Sequence, residues 1–148
     1  SAETEILLFT AARRDHLEKT IRPALARGEV VITDRFADST RIFQGITRGD
    51  LSQIVDRLHE LMIGVEPDLT LIFDLDPATG LSRATARAGK ELRFEDMGLA
   101  FQQKARAGFL ALAAQHPRFR VVDADGDPDT VAARVWQVVS AALGQGRA

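Results

Sequence analysis

The residues best suited to chemistry lie in one string, Asp34-Arg35-Phe36-Ala37-Asp38-Ser39-Thr40-Arg41-Ile42-Phe43-Gln44-Gly45. An Asp-Arg pair closing an apolar run sets opposite charges side by side. The carboxylate can hold a metal-bound water or a substrate hydroxyl, and the guanidinium can clamp a phosphate with two parallel hydrogen bonds. Ser39, Thr40, Phe43 and Gln44 follow at spacings that fit one helical face, offering hydroxyls, an aromatic plane and an amide. A surface ion pair with a polar turn behind it explains a lone Asp-Arg, but not the whole string.

Two further groups stand out. Phe9 and Arg13 are four residues apart in a helical pattern, and an aromatic plane beside a guanidinium suits a nucleobase, by stacking plus a hydrogen bond to a carbonyl. On spacing alone, a core Phe next to a surface Arg describes that pair better. Arg83 and Arg87 share a helix face, while Arg93 lies across a charged, Gly89-punctuated stretch and is followed by Glu95. Three guanidiniums on a closing segment can neutralise charge on a transferring phosphoryl group. A solvated charged loop accounts for them equally well.

These residues need elements to position them. Apolar positions at three-and-four spacing (Ile6, Leu7, Thr10, Ala11, Leu17, Ile21, Leu25) predict one long helix from about Ala2 to Arg27, stopped by Gly28 and blemished by Pro23. Val30 to Asp34 and Leu69 to Leu75 read as buried parallel strands, and Phe119 to Val122 as a third. Leu51 to Ile63 reads as an amphipathic helix with Ile54, Leu58 and Leu61 on its inner side. Pro77 to Arg87, Leu99 to Gln115 and Asp129 to Leu143 supply further helices, and Gly89 to Glu95 a mobile loop. Alternating strands and helices imply a parallel sheet with right-handed crossovers. Ligands of such sheets sit beyond the strands' carboxyl ends, where Asp34, Asp74-Leu75-Asp76 and Asp123-Ala124-Asp125 fall.

Composition narrows the class. The chain has 148 residues, the size of one domain. A formal net charge of −2 is too balanced for a chain built to coat nucleic acid or an anionic membrane. There is no cysteine, so no disulfide, thiolate metal site or cysteine nucleophile. The three histidines lie far apart, and no apolar run approaches the ~18 residues of a membrane span. No signal peptide is visible, so a soluble, cytosolic α/β protein is expected.

These motifs together resemble thymidylate kinase of the bacterial type. The family's Glu-x-Leu-Leu-Phe, small residues, Arg-x-x-His stands as Glu5-Ile6-Leu7-Leu8-Phe9-Thr10-Ala11-Ala12-Arg13-Arg14-Asp15-His16. Its Asp-Arg-aromatic, Ser, Tyr-Gln-Gly signature is similar to Asp34-Arg35-Phe36, Ser39 and Phe43-Gln44-Gly45, with Phe43 where Tyr is usual. Its Pro-Asp-Leu-Thr strand stands as Pro67-Asp68-Leu69-Thr70, and its lid as Arg83, Arg87 and Arg93-Phe94-Glu95. The resemblance implies an α/β, three-layer nucleoside monophosphate kinase fold of the P-loop NTPase kind, one domain over residues 1–148 with a lid at about 83–95. It implies transfer of a phosphoryl group from ATP to dTMP with Mg²⁺, and a homodimer. By the same resemblance Phe9 stacks on thymine, Arg13 bonds a thymine carbonyl, and Ser39, Thr40, Phe43 and Gln44 line the base end. Arg35 holds the monophosphate, Asp34 stands near the phosphates and magnesium, and Arg83, Arg87 and Arg93 serve the transferred group.

One family feature has no counterpart. None of the 11 glycines fits the Gly-x-x-x-x-Gly-Lys-Ser/Thr phosphate loop, and Gly89-Lys90 comes closest. The expectation is a carboxyl-side portion whose first strand and phosphate loop are absent, with apolar sheet surface left unpaired and no ATP turnover by these residues alone. Two other readings compete. Asp74-Leu75-Asp76 faintly resembles the Asp-x-Asp of haloacid-dehalogenase-type phosphatases, and a degenerate domain could bind nucleotide without catalysis or only dimerise, with Ile6–Leu25 and Leu51–Ile63 as a helical interface.

Overall fold

The structure, a computed structural model, describes residues 1–86 and 97–145. The chain divides into two compact units, Ser1–Glu66 and Pro67–Ala148.

In the first unit α1 (Ala2–His16) begins where Ser1 Oγ accepts the Thr4 N–H at 3.2 Å, an N-cap reinforced by Glu3 and Glu5 in the first turn. The expected long helix is present but not uniform. A π-helical turn, Leu17–Ile21, joins α1 to α2 (Arg22–Ala26), and the Arg22 N–H reaches back five residues to the Leu17 carbonyl. Pro23 has no N–H to give the preceding turn, and the widened turn carries the helix past it. Gly28 ends the helix at φ +78°, with its N–H on the Leu25 carbonyl (2.9 Å) and the Glu29 N–H on the Ala24 carbonyl (3.1 Å). This left-handed terminus is one that glycine enters at little cost.

The strand expected at Val30–Asp34 is not formed; the segment is unpaired coil, and Ile32 is 91 % exposed. A strand exists only through its ladder, and no described strand lies beside this run to accept its N–H groups. The site string becomes a short helix, α3 (Ala37–Thr40), running into a second π-helical turn, Arg41–Ile46. After it, α4 (Ser52–Met62) buries Val55 and His59, and Ile63 is buried just beyond. Ile54 and Leu61, expected inside, are exposed. The inward face is set instead by His59, whose ring meets Phe36 edge-on (centroids 6.2 Å, 87°), and an apolar count passes over histidine. Leu17, Ile21 and Ile63 form the core, covered by Val31, Phe36 and Val65.

The second unit is a parallel pair, β1 (Thr70–Asp74) and β2 (Phe119–Asp123), in register from Thr70 opposite Phe119 to Asp74 opposite Asp123. Three strands were expected, and the described residues hold two. The helices are α5 (Pro77–Ala86), α6 (Gly98–Gln115) and α7 (Pro128–Gln145). Asp76 caps α5, accepting from Thr79 N (3.0 Å), and Asp127 caps α7, accepting from Thr130 N (2.9 Å). Along α6, Ala105 and Gly108 are buried with Phe101, Phe109 and Leu112 partly so, the stripe its spacing predicts. His116, extended at φ −128°, ψ 122°, ends it ahead of Pro117. The Gly89–Glu95 loop lies outside the described residues.

Candidate functional site

In the first unit Glu5, Phe9 and Arg13 fall at four-residue intervals along one face of α1, the helix that contacts α3 and the 41–46 turn. Arg13 Nη2 donates to Thr40 Oγ1 at 2.8 Å and to the Phe36 carbonyl at 3.4 Å, and its guanidinium carbon lies 5.4 Å from the Phe36 ring centre. Its Nη1 and Nε have no hydrogen-bond partner among the described residues. Burial, then the neighbouring Arg41 charge, lowers its affinity for the proton, although an arginine stays charged. One turn on from Thr40, Gln44 Nε2 donates to Glu5 Oε2 at 2.9 Å. Thr40 and Gln44 are 2 % and 1 % exposed. Phe43 is buried too, and the Arg35 guanidinium carbon lies 5.1 Å from its ring centre. Ser39 is half-buried on the same turn, and Phe9 half-buried on α1.

Arg35 has φ +67°, a left-handed conformation that costs a non-glycine residue about 1–2 kcal/mol. Asp34 beside it is exposed and sits in coil rather than at a strand end. Behind the string, Arg41 reaches carboxylates from three places: Asp38 (2.8 Å), Asp56 (2.8 Å) and Glu66 (2.7 Å). Burial is the largest single influence on Glu66 and would raise its pKa. The contacts from His59 and Arg41 outweigh it and bring the group down to about 2. His59 Nε2 lies 3.1 Å from Glu66 Oε1 without the alignment of a hydrogen bond, and neither ring nitrogen has a hydrogen-bond partner among the described residues.

Sequence reasoning assigned no role to Glu5, Arg41, Arg48, His59 or Glu66. Glu5 had a readable signal, its helical register with Phe9 and Arg13. Of the Arg41 partners, Asp38 is three residues back at helical spacing, whereas Asp56 and Glu66, 15 and 25 residues away, had none.

In the second unit Arg83 Nη2 donates to Asp125 (3.0 Å) and Nη1 to the Ala124 carbonyl (3.3 Å), anchoring α5 to the loop after β2. Arg87 and Arg93 lie outside the described residues. Asp74 accepts from Arg106 Nε and Nη2 at 2.6 and 2.8 Å, and this pairing holds its pKa below the ordinary range. A carboxylate with both oxygens so engaged is poorly disposed as a nucleophile. Asp76 is spent on capping α5. Among the described residues no group of three or more His, Cys, Asp or Glu could hold a metal ion, and no helix is long and apolar enough to cross a membrane.

A parallel strand pair with acidic tips and packed helices, accompanied by a cluster of arginines, rings and hydroxyls, defines an α/β kinase of the nucleoside monophosphate class. Comparison with known proteins makes the assignment specific. The family model "Thymidylate kinase" matches residues 1–135. Thymidylate kinases of Ruegeria pomeroyi and Jannaschia sp. are 65 % and 62 % identical, over 99 % and 98 % of this chain and 70 % of each relative. The crystal structure of thymidylate kinase from Ehrlichia chaffeensis superposes with a TM-score of 0.73 at 32 % identity, over 95 % of this chain and 65 % of that one. The chain belongs to the thymidylate kinase family, and the function that membership carries is phosphorylation of dTMP with ATP as donor. The phosphatase and binding-only alternatives find no support in these relatives.

Proposed function

We propose that the protein carrying these residues forms dTDP and ADP from dTMP and ATP, and that residues 1–66 hold the acceptor nucleotide. Phe9 stacks on thymine, and Arg13 donates to a base carbonyl. Ser39, Thr40, Phe43 and Gln44 line the base end. The observation that carries this reading is the Arg13–Thr40 hydrogen bond at 2.8 Å, which joins two motifs 27 residues apart. Arg35 clamps the monophosphate. An oxygen of that phosphate attacks the γ-phosphorus of ATP, the bond to the β,γ-bridging oxygen breaks, and ADP leaves. Catalysis is positioning and charge neutralisation, with no covalent enzyme intermediate. Arg83, Arg87 and Arg93, in a lid at about 83–95 of a single kinase domain, meet the developing charge.

Mg²⁺ neutralises phosphate charge in such transfers. It is held mainly by phosphate oxygens and water with one or two carboxylates, so it needs no dedicated protein cage. The exposed Asp34 carboxylate suits that part. The protein acts in the cytoplasm, with neither nucleic acid nor membrane as partner. It forms a homodimer through α1 and α4, where Leu7, Leu8, Ile54 and Leu61 are 59, 64, 47 and 73 % exposed.

The test is a titration of the full-length protein with dTMP, dUMP and dGMP, followed by hydrogen exchange. Tightest binding by dTMP, with protection inside residues 1–66, is expected. Equal binding of dGMP, or protection elsewhere only, contradicts the reading.

A further inference from the structure

The carboxylate of Glu5 is placed to decide which end of an amide faces the base. It sits one turn before Phe9 on α1, accepting from Gln44 Nε2 at 2.9 Å through Oε2 and from Arg48 Nη1 at 2.6 Å through Oε1. The hydrogen bond from Arg48, with its charge, holds the Glu5 pKa below the ordinary carboxylate range, so Glu5 is ionised at neutral pH. An ionised carboxylate has acceptors only. A side-chain amide has an NH2 end and an oxygen end of nearly equal size, and only the NH2 end can meet Glu5. In the opposite flip the Gln44 oxygen would face the Glu5 carboxylate, two acceptors with no hydrogen between them. Its oxygen is therefore turned away from Glu5.

We infer that Glu5 is a positioning residue that sets pyrimidine specificity by fixing the polarity of the Gln44 amide. The inference rests on the dTMP reading given above. Held this way, Gln44 offers an oxygen to the base. That oxygen accepts from the imide N3–H of thymine or uracil. Cytosine carries a lone pair at N3 and no hydrogen, so the two acceptors repel. A site that commits a buried acceptor rejects a ligand lacking the matching donor far more strongly than shape alone would. In Glu5→Gln the Arg48 donor takes the amide oxygen, so the new NH2 faces Gln44, which turns its own oxygen inward and presents its NH2 to the base.

The experiment compares wild type, Glu5→Gln and the swap Glu5→Gln/Gln44→Glu in the full-length protein, with dTMP and dCMP as acceptors. In Glu5→Gln the dTMP-to-dCMP ratio of kcat/KM is expected to fall about tenfold, the worth of one buried hydrogen bond, through KM and not kcat. The KM for ATP is expected to stay unchanged. The swap places a carboxylate, which has only acceptors, where the amide stood and is expected to restore the preference for dTMP. A purely structural cross-link lowers both acceptors alike, so an unchanged ratio in Glu5→Gln overturns the inference. Should Glu5→Gln fail to fold, the swap decides alone: loss of discrimination in it overturns the inference. A wild-type protein that binds no dTMP is a different result, which removes the underlying site reading instead.

Discussion

Arg35 carries a guanidinium and a backbone strain at the same position. Its φ of +67° is tolerated where the surrounding structure over-determines it, a common circumstance at ligand-binding positions. Two substitutions separate the side chain's role from the backbone's. Arg35→Ala and Arg35→Gly both remove the phosphate clamp, and each is expected to lower kcat/KM for dTMP about a hundredfold or more. Glycine enters the left-handed region freely and alanine does not, so Arg35→Gly should be the more stable of the two by about 1 kcal/mol in thermal denaturation. Glu66 makes a pH-dependent contribution. Its folded pKa, about 2, lies below the ordinary 4.5, so its stabilisation is complete above pH 4.5 and is lost as pH falls through 2. Its side chain is 40 % exposed, so solvent screens the pair. Glu66→Gln should therefore cost only about 1 kcal/mol at pH 7 in denaturant unfolding, a cost that shrinks as pH falls from 4.5 towards 2 and disappears below it. The chemical residues were legible because Asp34 to Gly45 concentrates so many useful groups. Their distant partners were not, since Arg41 collects Asp56 and Glu66 by tertiary folding.

At the scale of elements, α5, α6, α7 and both strands of the described sheet follow from periodicity and punctuation to within a residue or two, as do the outer limits of the first helical stretch, though not its division at the π-helical turn Leu17–Ile21. The expected strand at Val30–Asp34 fails because a β-branched run specifies only a willingness to pair, and pairing needs a neighbour. The inner face of α4 was misread by one step. Val55 and His59 point inward, whereas Ile54 and Leu61 carry an outward apolar stripe. That stripe and the exposed Leu7 and Leu8 of α1 are the proposed dimer contact. Leu8→Glu, or Leu61→Glu, is expected to shift the protein from dimer to monomer in analytical ultracentrifugation. An unchanged sedimentation coefficient in both would place the contact elsewhere.

For the molecule as a whole, every residue assigned to the acceptor nucleotide lies within Ser1–Glu66, and the sheet with Arg83 lies within Pro67–Ala148. Ligand binding stabilises the unit it contacts, by about 2.7 kcal/mol at a hundredfold excess over Kd. The titration above should accordingly slow exchange in α1 and α3 while leaving the β1–β2 ladder unaltered. The register of that ladder has an effect of its own. Asp74 and Asp123 end side by side, and each has its own guanidinium, Arg106 and Arg134. Each of these two carboxylates is thus matched by a cation of its own, which relieves the repulsion that two like charges side by side on a ladder would otherwise exert.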